Sequence, residues 1–261
     1  AIDAPESLRT PAFVTLTRVR ARRGEPRAVE LAIEGWTLAD ALGELQRTGP
    51  AAAARAEAAW LHGGDPGAVV ALENTYAEAC RLGVAPVRDE LTLWMTRFGR
   101  PVQSGQSDAG ESPYTLQAAG RWREAAMAWQ AAGCPYEYAA ALADSSEPAD
   151  LLTALAALDA LGAEPLARRV RTKLREAGVA RIPRGPVEGT RLNPAGLTSR
   201  QLEVLRLLGQ SLTNAEIAER LVLSVRTVDA HVSAVLAKLG LHSRREVAAR
   251  AAELGVTTGE K

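Results

Sequence analysis

The sequence predicts an all-α protein, a helical-hairpin array followed by a small domain of four short helices. Three observations lead there. Ala, Leu, Glu and Arg dominate, and no strand-like alternation recurs. Gly/Pro punctuation divides the first two thirds into helix-sized segments. The formal net charge of zero averages two unlike parts: residues 1–164 hold 14 Arg against 22 acids, and residues 165–261 hold 17 Lys plus Arg against 9 acids. An acidic part at −8 beside a basic part at +8 is expected when only one end meets a polyanion.

The array comes first. Thr10-Pro11 and Gly49-Pro50 read as helix openings, with Pro at the first helical position. Three turns resemble one another: GEPRAVELA from Gly24, GDPGAVVAL from Gly64 and GRWREAAMA from Gly120. Each sets a Gly turn before a polar stretch and a new amphipathic helix, and small Ala residues stand where helices approach closely. The turns are unevenly spaced, so the array is a degenerate one that resembles tetratricopeptide repeats (TPR-like). GRPVQSGQSDAGESP, from Gly99 to Pro113, reads as a surface loop. Trp36, Trp60, Trp94, Trp122 and Trp129 fall on these helices, as inter-helix packing or as the lining of a groove.

The array is expected over residues 1–178 and ends in the basic EPLARRVRTKLREAG. Residues 179–196, with Pro183, Pro186 and Pro194, read as a linker. The chain begins at Ala1 with helix-like sequence almost at once, which suggests the C-terminal portion of a longer protein. Cys80 and Cys134 fit neither a metal motif nor a disulfide framework, and no apolar run spans a membrane. A cytoplasmic protein without metal or cofactor is expected. His62, His231 and His242 form no catalytic or ligand constellation, so no enzyme activity is assigned.

From Leu197 the capping chemistry becomes explicit. Thr198 with Gln201, Thr213 with Glu216 and Ser243 with Glu246 have capping-box spacing, and Ser224 supplies a further N-cap. Gly240 and Gly255 stand where left-handed C-caps belong. Helices are expected near 199–209, 214–221, 225–239 and 244–254. On the third, Val225, Val228, Val232, Val235, Leu236 and Leu239 make a stripe to be buried against Leu205, Leu208, Ile217, Ala218 and Leu221. The opposite face presents Arg226, Asp229, Ala230 and Ser233. The corner Val222-Leu223-Ser224 crosses it over the second helix, as in a helix-turn-helix unit.

These motifs (LTSRQLEVL, NAEIAERL, SVRTVDAHV, KLG and SRREV) resemble the DNA-binding domain of LuxR-type transcriptional regulators, over residues 197–258. The upstream array, with its RGP…TRLNPAG junction, is similar to the C-terminal arm of the large ATP-binding LuxR-type regulators. In those a nucleotide-binding domain precedes the array; no G-x-x-x-x-G-K-[S/T] loop is present here. The family's usual Gly two residues before the second helix's N-cap is replaced by Ser211, so either the first helix ends earlier or Ser211 is left-handed.

The resemblance implies that the third helix enters the major groove of double-stranded DNA with Asp229, Ala230 and Ser233 nearest the bases. Asp229 either accepts from cytosine N4 or pairs with Arg226 within the helix. Phosphate contact or helix positioning is expected of Arg200, Arg226, Thr227, His231, Lys238, Ser243, Arg244 and Arg245. The resemblance also implies a homodimer on DNA through the fourth helix, where Val247, Ala248 and Leu254 form a thin apolar strip that is otherwise core. The array is then a signal-sensing or partner arm, contacting a protein or an upstream nucleotide-binding domain. The alternative is an interaction scaffold whose last domain binds DNA weakly, a reading to which Asp229 lends support.

Overall fold

The structure, a computed structural model, describes residues 6–102, 111–185, 197–210, 212–241, 243, 246 and 247. Among these residues there are thirteen helices and no strand. The chain divides into two compact units, Ala1–Pro183 and Arg184–Lys261.

The first unit contains α1 (Glu6–Arg23), α2 (Ala28–Leu42), α3 (Leu45–His62), α4 (Gly67–Leu82) and α5 (Ala85–Arg97). After the Gly99–Pro113 stretch, of which residues 103–110 lie outside the described residues, come α6 (Pro113–Ala118), α7 (Trp122–Ala131), α8 (Pro135–Leu142), α9 (Pro148–Leu161) and α10 (Glu164–Glu176). Consecutive helices pack in pairs, and α10 returns to pack on α1 and α3. Gly24, Gly64 and Gly120 all have positive φ and turn the chain before α2, α4 and α7, where the three related turns place them.

Two helix starts differ from the expectation. Thr10 is buried inside α1 and Pro11 lies in that helix's second turn. Pro50 likewise sits inside α3, which begins at Leu45. Pro gives a start signal because a first-turn residue needs no N–H partner. Both helices begin about a turn earlier and forgo one internal bond instead.

Helix α3 packs against α1, α2, α4, α5 and α10. Its sequence explains how it tolerates so many neighbours: Ala51, Ala52, Ala53, Ala54, Ala56, Ala58 and Ala59 are all buried. At Gly49 even a methyl group is excluded, since a Cβ there would lie 2.5 Å from Val87 Cγ1. Gly35 of α2 similarly meets Phe13 of α1, with 2.9 Å to its Cβ.

The helices also enclose a polar network that apolar patterning does not reveal. Arg22 donates from Nε and Nη2 to the two oxygens of Glu57, at 2.7 and 3.2 Å, and its Nη1 lies 2.9 Å from Glu137. Its guanidinium also covers the Tyr136 ring at 3.9 Å. Burial alone would lower the Arg22 pKa, but Glu57 more than reverses this and holds it firmly protonated. Arg18 pairs with Glu90, and Arg97 with Asp144, which also accepts from Gln117 Nε2 at 2.5 Å. Burial, then the nearby carboxylates, push the Tyr114 and Tyr136 hydroxyls well above the ordinary phenol range, so both stay neutral.

The second unit contains α11 (Ser199–Gly209), α12 (Asn214–Leu221) and α13 (Val225–Leu239). Leu197, Val204, Leu205, Leu208, Ile217, Ala218, Val228, Val232 and Val235 form its core, with Leu221, Leu236 and Leu239 partly buried against them. Val225 departs from the expected buried stripe and is 48% exposed. It is the first residue of α13, where the helix has just left the corner.

All five Trp lie in the first unit, so tryptophan fluorescence reports its unfolding. Arg22→Met strands the Glu57 carboxylate and is expected to cost about 3 kcal/mol in urea unfolding. Combining it with Glu57→Leu should recover a large part of that loss; a double variant no more stable than Arg22→Met would refute the pairing account.

Candidate nucleic-acid interface

Three N-caps set the frame of the second unit. Thr198 Oγ1 accepts from the Gln201 N–H, while Gln201 Oε1 accepts from the Thr198 N–H at 3.0 Å. Thr213 and Glu216 repeat the reciprocal pair, with the Thr213 N–H donating to Glu216 Oε2 at 2.6 Å. Ser224 Oγ accepts from the Thr227 N–H at 3.1 Å, and the two hydroxyls lie 2.7 Å apart. Each cap satisfies helix N–H groups that would otherwise need water, and so fixes where the helix begins.

The corner between α12 and α13 is tight because Val222 takes a left-handed conformation, φ 53° and ψ 53°. The Leu223 N–H then closes back on the Ala218 carbonyl at 2.9 Å, as in a glycine-type helix stop. A β-branched residue in this region is strained, and Val222 is 90% exposed, so its side chain gains little packing in return. Arg200 steadies the same end of α12 by donating from Nη2 to the Leu221 carbonyl at 2.6 Å, with Nη1 on Glu203. Arg200 thus holds α11 to the end of α12.

Beyond the corner, the outer face of α13 carries Arg226, Asp229, Ala230 and Ser233, all exposed, opposite the buried Val228, Val232 and Val235. Thr227 and His231 flank this face half-buried. Lys238, further along α13, donates from Nζ to Gln201 Oε1 at 2.9 Å. Ser243 Oγ donates to Glu246 Oε1 at 2.7 Å. Val247 is fully buried in the core of this unit, the alternative that the sequence left open for that strip. His242, Arg244, Arg245, Ala248, Leu254 and Gly255 lie outside the described residues, as does Ser211, although α11 itself runs through Gly209.

Asp229 does something neither sequence alternative contains. Its Oδ1 accepts from Asn214 Nδ2 at 2.5 Å, linking the first residue of α12 to the outer face of α13. No ion pair joins it to Arg226 among the described residues. The partner is fifteen positions away, brought in by the corner, so a search at helical spacing could not find it.

This arrangement, two capped helices crossing at a tight corner with short side chains outermost on the second, suits close approach to a base-pair edge. The comparisons agree with it. Residues 195–251 match the family model described as bacterial regulatory proteins, luxR family. That segment is a LuxR-family DNA-binding domain. The oxygen regulatory protein NreC of Staphylococcus aureus (strain NCTC 8325 / PS 47) is 47% identical over 51 residues, 20% of this chain and 24% of that protein. The DNA-binding transcriptional activator DevR/DosR of Mycobacterium tuberculosis (strain ATCC 25618 / H37Rv) is 45% identical over 60 residues, 23% of this chain and 28% of that protein. The chain therefore spans about a quarter of the length of these curated relatives. No solved structure matches the chain. Among the described residues, no helix is long and apolar enough to cross a membrane.

Relieving the corner tests its geometry. Val222→Gly removes the left-handed penalty with almost no packing loss and should stabilise the LuxR-family domain by about 1 kcal/mol. Amide hydrogen exchange of α12 and α13 in the full chain should slow about fivefold. Faster exchange would show that the valine is favoured there.

Proposed function

We propose that the protein is a cytoplasmic transcriptional regulator that binds DNA sequence-specifically through α13, with the helical array as a signal-sensing or partner arm. The observation that carries this reading is the outer face of α13, held by capped helices within a LuxR-family segment. Ala230 and Ser233 face the bases, where Ala meets a thymine methyl and Ser donates or accepts. Thr227, His231, Ser243, Arg226, Lys238, Arg244 and Arg245 contact phosphate and fix register. The array is of TPR-like type, which its consecutive helix pairs support. Residues 184–196 serve as the linker, since Val179 and Ile182 pack against the core of the first unit. Two copies bind paired half-sites, because one small domain reads few base pairs.

Within this reading Asp229 acts as a positioning residue, its carboxylate occupied by Asn214. Asn214→Ala and Asp229→Ala should then weaken binding to similar extents at every site, by a few fold. Selection from a random DNA pool with each variant checks this. A changed preference at one base pair in Asp229→Ala alone would make Asp229 a reader.

The central experiment is a salt titration of DNA binding by the full chain. Affinity should fall with a log–log slope of about −3 to −4 for each bound subunit, as four cationic phosphate contacts imply. Absence of binding at low salt would favour an interaction scaffold. Thr227→Ala should weaken binding across all sequences, whereas Ser233→Ala should shift sequence preference more than affinity. Uniform loss from both would overturn the assigned base face.

A further inference from the structure

The first unit holds a cavity of about 340 Å³ bounded by α3, the end of α8 and α10, a volume in the range of small-ligand sites. Its wall surface is mostly apolar, with Trp60, Leu166 and Val170, while Asp144 and, from α10, Arg168, Arg169 and Lys173 also line it.

The charges around it do not balance. Arg169 lies 4.1 Å from the Trp60 ring centre and donates to the Trp60 carbonyl. Arg97 lies 4.7 Å from the same ring. Arg168 pairs with Glu164, and Arg97 with Asp144, which Gln117 shares; the Arg97 Nε is buried with no acceptor. Lys173 Nζ donates to the Ala143 carbonyl at 2.7 Å. Among the described residues neither Arg169 nor Lys173 has a carboxylate within ion-pair distance. Burial, then the charge of Arg97, hold the Arg169 pKa below its ordinary value, which agrees with an uncompensated cation. Four cations, Arg97, Arg168, Arg169 and Lys173, thus stand with two carboxylates, Asp144 and Glu164, beside an apolar wall, in a unit whose sequence is otherwise acidic.

We infer that this cavity binds a small organic anion, a carboxylate carried on an apolar or aromatic body. The carboxylate meets Arg169 and Lys173, and the body covers Trp60, Leu166 and Val170. A planar carboxylate matches the guanidinium fork and relieves the repulsion between Arg97 and Arg169. An inorganic anion would leave the apolar wall bare. This inference rests on the reading of the array as a sensing arm and gives that arm a ligand class.

Calorimetric titration of the full chain with benzoate, hexanoate and indole-3-acetate tests it, with benzamide and inorganic phosphate as comparison probes. At least one of the three carboxylates should bind saturably. If that ligand is benzoate, benzamide should bind about tenfold more weakly or not at all. Arg169→Gln and Lys173→Gln, at exposed positions of α10, should each weaken carboxylate binding about tenfold. Silence from all three carboxylates, equal binding of benzamide and benzoate, or unchanged binding in both variants would overturn the site. Phosphate binding as tightly as the carboxylates would overturn the apolar body. DNA affinity is then measured with and without saturating ligand. Carboxylate binding that leaves DNA affinity unchanged upholds the cavity and overturns the sensing reading. Silence in the calorimeter overturns the cavity and leaves sensing of a protein partner standing.

Discussion

The first unit depends on how closely helices can approach α3. A helix surrounded by five others has no solvated face for large side chains, and its neighbours meet the backbone almost directly. Alanine and glycine are the residues that allow this, and α3 supplies them along most of its length. Close approach also brings long side chains from different helices together near the centre. There Arg22 of α1, Glu57 of α3 and Glu137 of α8 meet in one cluster. Buried charges of this kind favour one arrangement of helices, because any slip leaves an ion without its partner.

In the second unit the controlling contacts are shorter in range. Threonine and serine caps set the start of each described helix, the left-handed Val222 sets the corner, and Arg200 ties that corner to α11. The two units therefore use different means of specification. The array relies on pairs distant in sequence, whereas the LuxR-family domain relies on contacts between residues three to five positions apart, supplemented by a few cross-helix bonds.

That difference explains what the sequence revealed. The boundaries of α11, α12 and α13 follow from Thr198, Thr213, Ser224 and Gly240, whose chemistry acts within one turn. The turns at Gly24, Gly64 and Gly120 were legible for the same reason. Pro11 and Pro50 misled because proline marks a permitted position, and a packed helix can extend past it. Val225 misled because periodicity does not report where a stripe leaves the core. The pairs Arg22–Glu57 and Asn214–Asp229, and the cations around Trp60, come from elements whose meeting no local pattern encodes. Of the tryptophans, Trp94 and Trp129 are buried in the packing, while Trp60 also walls a cavity, so both sequence readings of these residues apply in part.

The bond between Asn214 and Asp229 has a practical meaning for redesign. Recognition helices are commonly treated as interchangeable cassettes, with specificity moved by copying their outward residues. Here the angle of α13 is shared with a side chain on the preceding helix. A graft of residues 225–239 onto a related scaffold lacking asparagine at the equivalent of Asn214 would transfer the letters without their alignment. On the proposed reading of α13, the smallest portable unit begins at Thr213.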